Sequence, residues 1–201
     1  MKIYKNFNIS KKFKNSAIAI GNFDGFHLGH QKVINKGKYI AKKNKLKFGL
    51  LVFHPLPVMF FSKKLKNYRI DSLKQKIESS KKFGVDFLII KKFDKNFSKI
   101  SAENFIEAVL YRKLMVKLIF ISKNFKFGKN RTGDIKLLKK KQNYLNYKTK
   151  TIAPLNKKNK IISSTLIRKN IKKGRIDFAN KMLGRYWTIE GKVKRGEKRG
   201  R

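Results

Sequence analysis

The sequence predicts a doubly wound α/β domain, a Rossmann-like parallel sheet covered on both faces, and three observations carry that prediction. Short, β-branched apolar runs alternate along the chain with longer stretches whose apolar residues recur at helical spacing. Those runs, such as Leu50–Phe53 and Leu118–Ile121, are strand-sized and far below the roughly 20 residues that a membrane span needs. The composition also supplies a core: 41% of residues are hydrophobic and 17 are Phe, whereas disordered chains are poor in aromatics.

In chain order, Ser16–Gly21 is apolar, β-branched and closed by a glycine, a first strand. His30–Lys43 then sets Val33, Ile34, Gly37, Ile40 and Ala41 at helical spacing. Lys47–Phe53 reads as a buried strand, broken by Pro55 and Pro57. Ser72 caps a helix over Ser72–Phe83, and Val85–Ile90 is the next strand. Ser101–Tyr111 predicts a helix that turns Phe105, Ile106, Val109 and Leu110 inward. A strand over Lys117–Ser122, a helix over Asp134–Leu145 and a weaker strand over Tyr147–Ile152 follow. Ser164–Lys173 and Ile176–Leu183 read as short helices, the first ended by Gly174. From Trp187 the texture changes to strand-like alternation, which divides the chain into residues 1–185 and an appended β segment, 186–201.

Composition also excludes several function classes. Without cysteine there is no disulfide framework, thiolate metal site or catalytic thiol. Met1–Lys14 is basic but has no apolar core, so no secretory signal is read there; a cytoplasmic location and no membrane partner are expected. The chain carries 53 Lys and Arg against 11 Asp and Glu, a formal net charge of +42. Such an excess is the usual footprint of a nucleic-acid binder. Here it is spread through every part of the chain, Lys far outnumbers Arg, and Asn, Ile and Phe are heavily used too. Nucleic acid is therefore expected as a partner only through nonspecific charge.

In parallel α/β sheets ligands settle beyond the carboxyl ends of the strands. Chemistry is thus expected just after Ile20, Phe53, Ile90, Ile121 and Ile152. Gly21-Asn22-Phe23-Asp24-Gly25-Phe26-His27-Leu28-Gly29-His30 joins the first strand to the first helix. Its glycines permit close backbone approach, and the helix start offers free N–H groups to an anion. The chain has 3 His, and His27 and His30 place two of them here. Ser163-Ser164-Thr165-Leu166-Ile167-Arg168 is a second phosphate-ready helix start. Arg168 lies one turn along it, where its fork can reach a phosphate oxygen.

The pair His27-Leu28-Gly29-His30 and Ser163–Arg168 resembles the H-x-G-H and S-S-T-x-x-R signature of the nucleotidyltransferase superfamily. With Asn124-Phe125-Lys126-Phe127-Gly128 between them, the set resembles the bacterial FAD synthetase family, the bifunctional riboflavin kinase/FMN adenylyltransferases. The resemblance implies transfer of the adenylyl group of ATP to FMN, giving FAD and pyrophosphate. It implies that His27, His30, Ser164, Thr165 and Arg168 serve catalysis. Gly21, Asn22, Phe23, Asp24, Gly25, Gly29 and Ser163 would line the ATP side. Asn124 and Phe127, with Phe61 and Phe105, would stand on the FMN side. Mg²⁺ is implied as a companion of ATP, with no metal ligand assigned to the protein. Asp24 could support the loop or a metal–water shell, and loop support is favoured.

Two departures from the family stand out. Phe53-His54-Pro55-Leu56-Pro57 replaces the family's Phe-x-Pro-His-Pro, so Leu56 stands where the family has His. The segment 191–201 resembles only the opening of the riboflavin kinase barrel, so no kinase activity is expected of this chain. The rival readings are another small-molecule adenylyl- or cytidylyltransferase of the superfamily, and a polyanion-binding protein on a degenerate scaffold. The sequence leaves the oligomeric state open.

Overall fold

The computed structural model describes residues 1–62, 64–65, 68–157, 160–191 and 193. Its strands are β1 (Lys2–Tyr4), β2 (Ala17–Ile20), β3 (Phe48–His54), β4 (Phe87–Lys92), β5 (Leu118–Ser122) and β6 (Lys148–Ile152). All six lie parallel in one sheet, in the order β1-β4-β3-β2-β5-β6. A hairpin of β7 (Asn156–Lys157) and β8 (Lys160–Ile161) stands apart from it. β2 pairs with β3 on one side and β5 on the other, so the chain reverses direction across the sheet at β2. A crevice opens at such a switch point, at the carboxyl edge of the strands.

The two faces of the sheet divide the apolar residues by strand alternation. Ala17 and Ala19 join Phe48, Leu50, Val52 and Phe120 under α1 (Leu28–Lys43), which contributes Ile34 and Ala41. Ile18 and Ile20 face the other way, with Leu51, Phe53, Ile119 and Ile121, onto Phe105, Ile106 and Leu110. Past the end of β3, Pro57–Phe61 forms a short helix, α2, where the prolines predicted only a break. Pro57 fits the first helical turn because its missing N–H would have no partner there anyway.

The next helix, α3 (Leu73–Lys82), starts with a capping box. Ser72 Oγ accepts the Gln75 N–H at 3.1 Å, and Gln75 Oε1 accepts the Ser72 N–H at 2.8 Å. A turn at Lys95–Ser98 (α4) precedes α5 (Ala102–Asn104), which continues as a wider π-helix over Phe105–Lys113. The sequence predicted an ordinary helix there. Phe105, Ile106, Val109 and Leu110 are buried on the π-helix, the same four that the ordinary helix was expected to turn inward. Asp134 caps α6 (Ile135–Gln142), and α7 (Ser164–Lys172) and α8 (Ile176–Leu183) pack through Ile167, Ala179 and Leu183 onto Ile70.

The strand expected from Trp187 is not formed over residues 187–191. Trp187 Nε1 instead donates to the Ile70 carbonyl, and Thr188 accepts from Gln75. Residues 192 and 194–201 of the expected β segment lie outside the described residues. Among the described residues no helix is long and apolar enough to cross a membrane.

Candidate active site

β2 ends at Ile20 in the middle of the sheet, and residues 21–27 carry the chain from there to α1. Three of them have left-handed backbone: Phe23 (φ 44°), Gly25 (φ 87°) and Phe26 (φ 43°). Such a φ strains a phenylalanine by about 1–3 kcal/mol. Burial of both rings offsets it, since Phe23 is 2% exposed and Phe26 1%. At Gly25 a side chain would also meet Ile70 at 3.0 Å and Leu183 at 3.2 Å.

His27 is the N-cap of α1, its Nδ1 accepting the His30 N–H at 3.3 Å. That bond leaves the ring proton of a neutral His27 on Nε2. The two imidazoles stack, with centroids 3.7 Å apart and planes at 23°. A Cβ on Gly29 would lie 3.0 Å from the His27 ring, so the intervening glycine is what lets that ring fold back over the helix. Burial pushes His27 down to about 4, with the Arg168 charge adding to it. Burial holds His30 well below its ordinary value too, helped by His27 and Lys76, and its Nδ1 is buried without a protein partner. Two neutral imidazoles thus stand at the N-terminus of a long helix, whose dipole and free amides favour an anion.

The second cluster docks directly on this loop. Ser163 caps α7, its Oγ accepting the Leu166 N–H at 3.3 Å. Ser164 Oγ donates to the Asp24 carbonyl at 2.8 Å, and Arg168 Nη1 lies 2.7 Å from Asp24 Oδ2. The Arg168 guanidinium also covers the Tyr68 ring, 4.0 Å from its centroid. Asp24 accepts from the Ile70 N–H at 3.0 Å and the Asp71 N–H at 3.4 Å as well. Burial raises the Asp24 carboxyl, while Lys76 and Arg168 oppose that rise. Its carboxylate is therefore engaged in holding the loop and Arg168. Thr165 is exposed on the first turn of α7, and Asn22 is exposed beside Gly21.

On the opposite face of the sheet, the flavin-side candidates belong to a row of rings. Phe61 meets Phe93 at 5.8 Å, Phe93 meets Phe97 at 5.7 Å, and Phe97 meets Phe105 at 6.1 Å. Phe105 meets Phe127 at 5.5 Å, and Phe127 stacks on Phe125 at 5.7 Å. Exposure falls from 70% at Phe61 to 3% at Phe105 and 7% at Phe127, then rises again at half-buried Phe125. Asn124 is exposed just after β5. Leu56, buried, and His54, half-buried, both line a cavity of about 90 Å³ with Arg69, Asp71 and Lys76.

Several of these neighbours escaped the sequence reading. Lys76 is buried and donates to the Asn22 carbonyl at 2.7 Å. Asp71 pairs with Arg185, whose guanidinium also reaches the Gly25 carbonyl at 3.4 Å. Only the scarcity of acids, 11 in the chain, could have drawn attention to Asp71. Among the described residues no group of three His, Asp or Glu converges to hold a metal ion.

The fold and the chain have recognisable relatives. A riboflavin kinase/FMN adenylyltransferase of Buchnera aphidicola (from Schizaphis graminum) is 43% identical over 96% of this chain and 62% of its own length. The Escherichia coli K12 protein of the same name is 30% identical over 92% of this chain and 59% of its own. The chain thus spans about three-fifths of the length of these relatives. Among solved structures, a macrolide-efflux protein of Streptococcus pneumoniae superposes with a TM-score of 0.78 at 25% identity, over 92% of this chain and 61% of that one. A pantoate-beta-alanine ligase of Francisella tularensis, at 17% identity, shares the fold with a TM-score of 0.56, over 92% of this chain and 78% of that one. The FAD synthetase family model matches residues 9–166, a stretch that runs through the histidine loop and the phenylalanine row to the first turn of α7, and the chain belongs to that family.

Proposed function

We propose that this chain transfers the adenylyl group of ATP to FMN, with FAD and pyrophosphate as products. The observation that carries this reading is the docking of the second cluster on the first. Arg168 and Ser164 are fixed on Asp24, beside the stacked His27 and His30 at the start of α1. An oxygen of the FMN phosphate attacks the α-phosphorus of ATP. The bond from that phosphorus to the α–β bridging oxygen breaks, and the electron pair leaves with pyrophosphate. The nucleophile is already an oxyanion, so no side chain needs to deprotonate it. Catalysis reduces to alignment and to stabilising charge as it moves onto the leaving phosphates.

The neutral imidazoles suit that task as N–H donors, together with the amides at the start of α1. Ser163, Thr165 and Arg168 act from α7 on the same phosphates. Gly21 and Gly29 keep the backbone close to them. The ring row offers the isoalloxazine an apolar wall of mostly edge-on rings that begins at exposed Phe61, with Asn124 at its other end and Phe105 and Phe127 packed behind. Mg²⁺ fits as part of the substrate, carried by the ATP phosphates and their waters rather than by a protein cage, because Asp24 is engaged with Arg168 and backbone amides. A cytoplasmic setting accords with this use of ATP.

The test is purified protein with Mg–ATP and FMN, followed for FAD and pyrophosphate. Stoichiometric FAD and pyrophosphate are expected. FAD no greater than that made by a His27→Ala/His30→Ala variant would reject the reading.

A further inference from the structure

The residues around Lys76 hold more positive charge than their acids match. Among the described residues Lys76 is the one basic side chain that is buried, at 4% exposure in a chain with 53 Lys and Arg. Two buried carboxylates lie near it, and each already has an arginine: Arg168 on Asp24 and Arg185 on Asp71. Three cations therefore share two anions. The Lys76 ammonium has a backbone oxygen, that of Asn22, at 2.7 Å. Removing a charge from water is costly unless a counter-charge or hydrogen bonds replace the water. A purely structural cluster would be expected to balance, and this one is positive by one unit.

That excess faces the cavity of about 90 Å³. Its polar wall is Lys76, exposed Arg69, His54 at the end of β3, and Asp71, whose Oδ1 pairs with Arg185 while its Oδ2 is buried without a protein partner. Burial, with the charges of Lys76 and Arg69, holds His54 below its ordinary value, so it too can stand there as a neutral donor. At roughly 30 Å³ per water in the liquid, the space equals about three waters, room for one tetrahedral oxyanion. Lys76 also connects the cavity to the ATP-side loop, because its ammonium holds the Asn22 carbonyl.

We propose that the cavity between His54, Arg69 and Lys76 is an oxyanion subsite that takes a phosphate group of a substrate, with Lys76 as its buried counter-charge. The proposal rests on the adenylyltransferase reading, which leaves two sources for that phosphate: the monoester of FMN and the triphosphate of ATP. Arg69 completes the subsite from its exposed rim.

The experiment measures FMN, riboflavin and ATP binding to the wild type, Lys76→Met and Arg69→Ala, with thermal unfolding of each. Arg69 is exposed, so Arg69→Ala keeps the test decisive should Lys76→Met fail to fold. A loss of tenfold or more in FMN affinity, with riboflavin affinity unchanged, supports the subsite and assigns it to the FMN monoester. The same loss for ATP, with FMN preference intact, supports it and assigns it to the triphosphate. FMN and ATP affinities within twofold of wild type in the folded variants overturn it. A wild type that binds ATP yet forms no FAD rejects the adenylyltransferase reading, while the ATP arm still decides the subsite.

Discussion

On the histidine side of the sheet edge, the side chains that matter are fixed by polar contacts between segments far apart in sequence. Asp24 takes Arg168 from α7 and the amides of Ile70 and Asp71. Lys76 reaches across from α3 to Asn22. On the phenylalanine side, among the described residues, no ion pair or side-chain hydrogen bond joins the candidates; Phe61, Phe105 and Phe127 meet ring against ring, through Phe93 and Phe97, with Phe127 also held by its backbone pairing with Gly133. Ion pairs and hydrogen bonds fix direction to within a fraction of an ångström, which charge stabilisation on a moving phosphate requires. Ring packing fixes a surface and leaves orientation within it loose. On the proposed reading, the tighter wall would hold phosphates and the looser one a flavin ring.

The sharpest way to break the histidine side is Asp24→Ala. Removing one member of a buried pair strands the other and frees two amides, a loss of about 3 kcal/mol. Urea unfolding should show it, and adenylyl transfer should fall with it, because Arg168 loses its anchor. A loss below about 1 kcal/mol would mean that packing of Phe23 and Phe26 holds the loop without the pair.

Acid should act on the same side, more gradually. His27 is held at about 4 and His30 well below 6.5, while both take ordinary values when unfolded. Between pH 6.5 and about 4 the unfolded chain therefore binds protons that the native chain refuses. Stability is whole above pH 6.5 and declines as the pH falls, by about 1.4 kcal/mol per pH unit for each histidine. Unfolding midpoints at pH 7.5, 6 and 5 check the slope, and His27→Ala should flatten it. The chain's 3 histidines make their ring-proton titration readable by NMR, and a midpoint near 6.5 for His27 would contradict the burial argument.

This contrast also separates what the sequence made legible from what it hid. The alternation of strands and helices is local, so β2 to β6 and their helices could be read from period alone. Both anion-directed helix starts were legible too, because glycine, histidine and serine mark them by type. Lys76 was hidden because its burial depends on where α3 packs, and one lysine looks like another in so basic a chain. The three-residue β1 is too short to show a period, and it forms because β4 offers it an edge. With 17 phenylalanines, type alone could not sort surface from core along the ring row.

That sorting sets the gentlest prediction. Phe61 is 70% exposed and touches Phe60 and Phe93 at its edges, so truncating it removes little that folding depends on. Phe61→Ala should leave the unfolding midpoint within about 0.5 kcal/mol of wild type. Its effect belongs to the flavin: loss of one aromatic contact is worth about 0.5–1.5 kcal/mol, or roughly 2- to 10-fold in the KM for FMN. On the proposed reading the KM for ATP should stay put, since the helix starts assigned to the triphosphate lie away from Phe61. Steady-state kinetics with each substrate varied in turn separates the two. An equal rise in both KM values would show that the two walls act as one site, and the difference in tolerance drawn between them would fall.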